Sequence, residues 1–399
     1  MSRTAFYNAS LVFEHSVERG GLLIEDGRIA QTFTGGDLPA GLSADRSIDL
    51  LGFYLAPGMI DIHIHGSAGV DVQAADHAQL ARLSEFLLGE GITSYFATFV
   101  PAEEREYLTA VSAVESWIEA QGRGESPAGA RVLGIHFEGP FVNENRCGAL
   151  KREHFRSYDD DPRSLDLFCG NSSPSSRRLM TLAPEVRGGI RLARQLGERG
   201  VRVFIGHSQA DPETLDRAVE AGARHITHFP NALDPLHHRK PGAVAWGLLR
   251  KDVSLDCIVD FQHVHPLMLR LIYETKGADR IALISDAIQP AGLGDGVFTV
   301  WGEKIAVRDG RTSLIEGPAQ GTIAGSVITM RHALKNTISL GVPLHEAVRM
   351  TSTVPARVAG IESERGSIAA GKSADLVAYD EDFRLRLAMR DGQLLLDGR

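Results

Sequence analysis

Cysteine is scarce: Cys147, Cys169 and Cys257 stand far apart in a chain of 399 residues. Three scattered thiols exclude a disulfide framework and a cysteine zinc knuckle, and they point to a reducing, cytoplasmic setting. Long apolar runs are missing too. None reaches the ~18 residues that cross a bilayer, and the N-terminus lacks the basic start and apolar stretch of a secretory signal, so no membrane partner is expected. Positive charge is not in excess either. A formal net charge of −9 and a pI near 5.9 argue against a nucleic-acid surface. The glycine-rich dinucleotide fingerprint is absent, and no internal repeat is present. What remains is an ordinary globular composition, 43% hydrophobic and 23% charged, with fifteen histidines as its one oddity.

From about residue 56 to 360 short apolar strands alternate with helical stretches. Eight segments read as strands: "GMIDIHIHG", "ITSYFATFV", "RVLGIHFEGP", "LMTLAPE", "VRVFIGHS", "HITHFPNA", "VSLDCIVD" and "IALISDA". The intervening "DPETLDRAVEAGA" shows the helical pattern. Asp211 is placed to cap, Pro212 suits the first helical position, and Leu215, Ala218 and Val219 recur at helical spacing. Eight such units predict an α/β fold, a parallel sheet closed into a (β/α)8 TIM barrel; an open doubly wound sheet is the competing architecture. The chain ends read differently. Strand-like runs flank Asp26-Gly27 and Asp391-Gly392, both strong hairpin turns. Residues 1–55 and 361–399 are therefore expected to pair into a small β-sandwich domain beside the catalytic barrel of residues 56–360. The polar, breaker-rich stretch 159–178 reads as a surface loop.

The opening strand "PGMIDIHIHG" poses the functional question. Residues i and i+2 of a strand share a face, so Asp61, His63 and His65 are expected on one side and Ile60, Ile62 and Ile64 on the other. In a barrel, catalytic groups come from the C-terminal ends of the strands. There the sequence places His63 and His65 (first strand), Glu138 (third), His207 (fifth), His228 (sixth) and Asp286 (eighth). Any one of these has a structural reading: a hydrogen-bonded core histidine, a solvated loop carboxylate, a helix cap. Four imidazoles and two carboxylates at one rim make a ligand set for one or two divalent cations, Zn²⁺ first, with Fe²⁺, Mn²⁺ or Co²⁺ as alternatives.

With these pieces in order, the chain resembles the amidohydrolase superfamily, and within it the N-acetylglucosamine-6-phosphate deacetylases. The matching segments are "PGMIDIHIHG", "HFEGPF", "GHS", "THFPNAL", "HHRKPG", "QHV", "SDAIQPAG", "GTIAGS" and "GSIAAGKSADLVAYD", which span nearly the whole chain. Members with a carboxylated lysine carry it on the fourth strand, where "LMTLAPE" offers none. The resemblance implies that Glu138, His207 and His228 hold the principal metal, that His63 and His65 add a second site, and that Asp286 is the general base. It further implies substrate contacts from Asn231, Ala232, Ala149 and His263, the last also acting at the scissile carbonyl. Arg239 would reach a neighbouring subunit's phosphate site in a homodimer. The implied substrate is a phosphorylated amino sugar, deacetylated to acetate and a free amine.

Two positions depart from that family. Leu150 stands where the family has a histidine that polarises the substrate carbonyl, with His154 as a weaker substitute, and Phe261 replaces a glycine before the "QHV" motif. These departures favour, as the rival reading, a related amidohydrolase acting on another N-acyl amino sugar or small amide. A non-catalytic assembly module is a third reading; such relatives lose metal ligands, and this chain keeps all six.

Overall fold

The computed structural model describes residues 2–158, 162–170, 173–317 and 319–399. Eight parallel strands, Met59–Ile64, Ile92–Phe99, Arg131–Glu138, Arg177–Leu182, Arg202–Ile205, His225–Ile226, Ser254–Ile258 and Ile281–Ile284, hydrogen-bond to one another in chain order. All eight expected strands are present. First and last meet where Asp286 N donates to His63 O at 2.9 Å and His65 N donates to Ala287 O at 2.8 Å. The buried Asp61 carboxylate reinforces that seam, accepting from Ser285 Oγ at 2.5 Å. The sheet is thereby closed into a barrel, and the open alternative is excluded.

Alternation along the strands divides the core. Outward side chains pack under the helices in the main hydrophobic cluster. Inward ones, among them Phe96, Leu179, Phe204 and Ile284, fill the barrel and meet Val354 and Ala356 of the helix Thr353–Ala359. Burying each such large apolar side chain stabilises the fold by about 1.5–3 kcal/mol. The helix Pro212–Glu220 forms as its sequence suggests. The Asp211 side chain accepts from Thr214 N at 2.8 Å, and Leu215, Ala218 and Val219 are buried.

The two chain ends build one eight-stranded sheet with its own core around Phe6, Leu22, Ile24, Leu376 and Leu387. Its junction pairs Tyr54–Pro57 with Leu376–Tyr379, antiparallel, one strand from each end. Both turns adopt the left-handed backbone of type I′ hairpins: φ is 47° and 82° at Asp26 and Gly27, 48° and 75° at Asp391 and Gly392. The hairpin tips touch. A Cβ on Gly392 would lie 2.4 Å from Gly27 Cα, so glycine is required there for space as well as for φ.

Three expectations need correction. The stretch 159–178 is not simply a loop: Pro162–Cys169 is helical, and Leu165 and Phe168 are buried, Phe168 against Phe137 and Phe141. Residues 159–161 and 171–172 lie outside the described residues. Second, after the eighth strand the chain inserts an antiparallel meander, Gly296–Val300, Glu303–Arg308 and Arg311–Leu314, inside what reads as pure barrel. Third, Ile60, Ile62 and Ile64 do not share a face. Ile60 and Ile62 fill the barrel and Ile64 packs outside it, because the pairing register shifts between Asp61 and Ile64.

Candidate metal centre

Six side chains from five strand ends converge at the barrel mouth. His207, His228 and Asp286 have φ of 48°, 31° and 48°. Left-handed backbone costs a non-glycine residue roughly 1–2 kcal/mol, a strain kept here because it swings each side chain out of the sheet's alternation and over the mouth. The six form two trios, His63 with His65 and Asp286, and Glu138 with His207 and His228; within each, the donor atoms lie within 4.8 Å of one another.

The trios overlap through Glu138. Its Oε1 lies 3.0 Å from both His207 Nε2 and His228 Nε2, while its Oε2 lies 3.3 Å from His65 Nε2. On the other side His63 Nε2 and His65 Nε2 are 3.2 Å apart, and Asp286 Oδ1 is 3.2 Å from His65 Nε2. Ligand bonds of about 2.0–2.1 Å in tetrahedral geometry put neighbouring donor atoms about 3.3 Å apart. The observed spacings match that edge.

The ring tautomers provide a second test of fit. His207 Nδ1 lies 2.7 Å from Arg146 O, and His65 Nδ1 lies 3.2 Å from Thr98 O. A carbonyl only accepts, so both Nδ1 atoms carry the proton and both Nε2 atoms present lone pairs. His63 Nδ1 lies 3.0 Å from Thr227 Oγ1, whose own proton points to Asp256 Oδ2. Thus three imidazole lone pairs and two carboxylates face a common point, which is repulsive unless a cation lies there. The pull of the site on positive charge shows in its titration as well. Burial opposes charge on His65, yet the carboxylates of Asp286 and Glu138 carry its pKa up to about 10, so a proton takes the cation's place on the ring unless a metal ion displaces it. Burial would raise Glu138, but His63, His207 and His228 hold it well below the usual carboxylate range. The residues fit a divalent cation.

Behind the ligands, Asp256 supports the sixth strand's turn: Oδ1 accepts from His228 N, and Oδ2 lies 2.8 Å from His225 Nε2. Thr98, Thr227, Asp256 and the Arg146 carbonyl escape sequence reasoning, because only the closed barrel brings them behind the imidazoles. His228 Nδ1 is buried and has no partner among the described residues.

The expected substrate residues are distributed around this cluster. Asn231 follows His228, and its Nδ2 donates to His228 O at 2.9 Å. Ala232 adopts φ 52° and its carbonyl accepts from Ser208 N. His263 is oriented by Asp260, its Nδ1 lying 2.7 Å from Asp260 Oδ2. Arg239 sits in the exposed run His237–Lys240, with no carboxylate partner among the described residues. Ala149 and Leu150 line a cavity of about 640 Å³ above the first three strands, together with Trp301 from the meander. Leu150 is buried against Val100, Val142 and Trp301, so no hydrogen-bond donor stands at its position. Phe261 takes φ 62°, a backbone that a glycine adopts freely, and its ring packs against the outer core rather than lining that cavity.

Known proteins share sequence and fold with this chain over most of its length. The model of the amidohydrolase family matches residues 54–395. An N-acetylglucosamine-6-phosphate deacetylase of Bacillus subtilis (strain 168) is 34% identical over 96% of this chain and 95% of its own length. An N-acetylgalactosamine-6-phosphate deacetylase of Escherichia coli O157:H7 is 36% identical over 85% of this chain and 87% of its own. The structure of an N-acetyl-D-glucosamine-6-phosphate deacetylase mutant from Mycobacterium smegmatis, in complex with N-acetyl-D-glucosamine-6-phosphate, superposes with a TM-score of 0.87. It is 31% identical and covers 99% of this chain and all of its own. Barrel, strand-end ligands and sequence all agree: this chain belongs to the amidohydrolase family.

Proposed function

We propose that the protein hydrolyses the acetamide of N-acetylglucosamine 6-phosphate, giving acetate and glucosamine 6-phosphate. The observation that carries this reading is Glu138, whose two carboxylate oxygens are shared between the two trios of ligands. Glu138, His207 and His228 would hold the principal ion, and His63 and His65, with Asp286, a second. A bound divalent cation supplies Lewis acidity here, acidifying a water molecule and polarising a carbonyl oxygen.

Asp286 takes the proton from the attacking water at a carboxylate oxygen and delivers it to the departing nitrogen. Burial favours the protonated acid, but His63 and His65 hold Asp286 below the usual carboxylate range, so it starts the cycle as a base. Leu150 donates no hydrogen bond, so His263, braced by Asp260, is the side chain assigned to the carbonyl or the sugar. Asn231 and the backbone at Ala232 receive the phosphate. The fork geometry of Arg239 suits a phosphate dianion, and its exposed loop supports a role in a second subunit's site in a homodimer. Zinc is the first choice of metal for this nitrogen-rich donor set.

Acetate release should be measured with N-acetylglucosamine 6-phosphate, its galacto epimer and the two unphosphorylated sugars. The gluco phosphate is expected to be the best substrate. The galacto relative gives a reason to test the epimer, and a tenfold preference for it would reassign the sugar. Equal rates with and without phosphate would remove the roles given to Asn231 and Arg239.

A further inference from the structure

Trp301 is held at a cost that its own hairpin does not explain. It occupies the Trp301-Gly302 turn of the inserted meander with φ 52°, a conformation that favours Asn, Asp or Gly and is an outlier for a bulky residue. The strained turn sets the indole edge-on to His65, with ring centroids 5.2 Å apart. The indole also packs with Leu150, and both line the 640 Å³ cavity over the first three strands, on the side of the metal cluster opposite Asn231 and the basic run His237–Lys240. The cavity wall carries an apolar strip of Val100, Ala149, Leu150 and Trp301 beside the polar Asp71, Gln73, Lys151 and His154; the exposed Arg105 and Glu106 mark its outer rim.

We propose that this cavity is the acyl pocket, with Trp301 and Leu150 as its specificity-determining wall, and that it admits unbranched acyl groups longer than acetyl. The inference rests on the amide-hydrolase reading above. With the phosphate over the sixth and seventh strands and the scissile carbonyl at the cluster, the acyl chain points toward the first three strands. An acetyl methyl leaves most of that space empty, whereas a propionyl or butyryl chain runs along the indole and the leucine.

The test compares kcat/KM for N-acetyl-, N-propionyl- and N-butyrylglucosamine 6-phosphate in the wild type and in Trp301→Asn. Asparagine tolerates φ 52° beside Gly302, so the turn survives while the indole is removed. Trp301→Phe, which keeps an aromatic wall, serves as the conservative control. Butyryl hydrolysis within tenfold of acetyl in the wild type is expected. A fall in the butyryl-to-acetyl ratio of tenfold or more in Trp301→Asn, restored in Trp301→Phe, is expected as well. Butyryl more than tenfold below acetyl in the wild type, or a ratio unmoved by Trp301→Asn, would overturn the proposal. No hydrolysis of any of the three amides would instead refute the function on which it rests.

Discussion

Replacing Asp286 by Asn separates proton transfer from architecture, because the rest of residue 286 is held independently. Its backbone N–H donates to His63 O at 2.9 Å, and its carbonyl accepts from Ser326 N at 2.7 Å. Asparagine is among the residues that tolerate its φ of 48°. The substitution therefore keeps shape and backbone while removing the charge and the proton-accepting oxygen. General acid–base catalysis is worth about 10²–10⁴ in rate, equivalent to roughly 2.7–5.5 kcal/mol of barrier. Turnover in Asp286→Asn is expected to fall by that factor. KM should stay within about threefold, since the residues assigned to the sugar phosphate are untouched. Glu138, His207 and His228 remain, so elemental analysis of the variant should still find one ion per chain. Steady-state kinetics paired with that metal count is the assay. If turnover fell less than tenfold while the metal count held, Asp286 would not be the proton carrier and the acid–base role would belong to another side chain.

Three further outcomes follow from the geometry. Thr227→Val removes the hydroxyl that fixes His63 Nδ1, and losing such an outer-shell partner should weaken metal binding about 10–100-fold in chelator competition. Treatment with a strong chelator should abolish activity and lower the melting temperature, with both restored on adding a divalent ion; unchanged melting would mean the ligands are not organised around a cation. The Lys276 ammonium is buried and donates to Gly247 O and Arg250 O, and burial holds its pKa down to about 8. Between pH 8 and about 10 the unfolded chain keeps a proton that the folded chain has released, so this group adds stability as pH rises. Urea unfolding of the wild type and Lys276→Met at pH 7.5 and 9.5 should show the wild type gaining on the variant at the higher pH; a constant difference would contradict it.

The barrel was legible because strand and helix periods alternate cleanly, and because Asp211 and Pro212 announce a helix whose buried face repeats as expected. The candidate ligands were legible for a related reason. Histidine and glutamate rarely end apolar strands, so His63, Glu138 and His228 stand out against their neighbours. What could not be read depends on contacts between distant segments. The register shift after Asp61 sends Ile62 inward and Ile64 outward, and no alternation rule foresees it. The helix Pro162–Cys169 lies in polar, breaker-rich sequence, and its apolar positions gain meaning only once Phe168 meets Phe137 and Phe141. Trp301 carried no local sign of its place beside His65, since its partner comes from the opposite end of the barrel sequence.

The seam has a consequence for biosynthesis. Asp61 and Ser285 are 224 positions apart, and the candidate ligands His63 and Asp286 flank the same join. A ribosome-bound chain that stops short of the eighth strand has exposed every imidazole of the centre yet lacks the piece that fastens the ring. Such a chain offers a cation only loose, unclasped donors. Assembly of the six-residue cluster is then a late event, complete only once synthesis has run past residue 286.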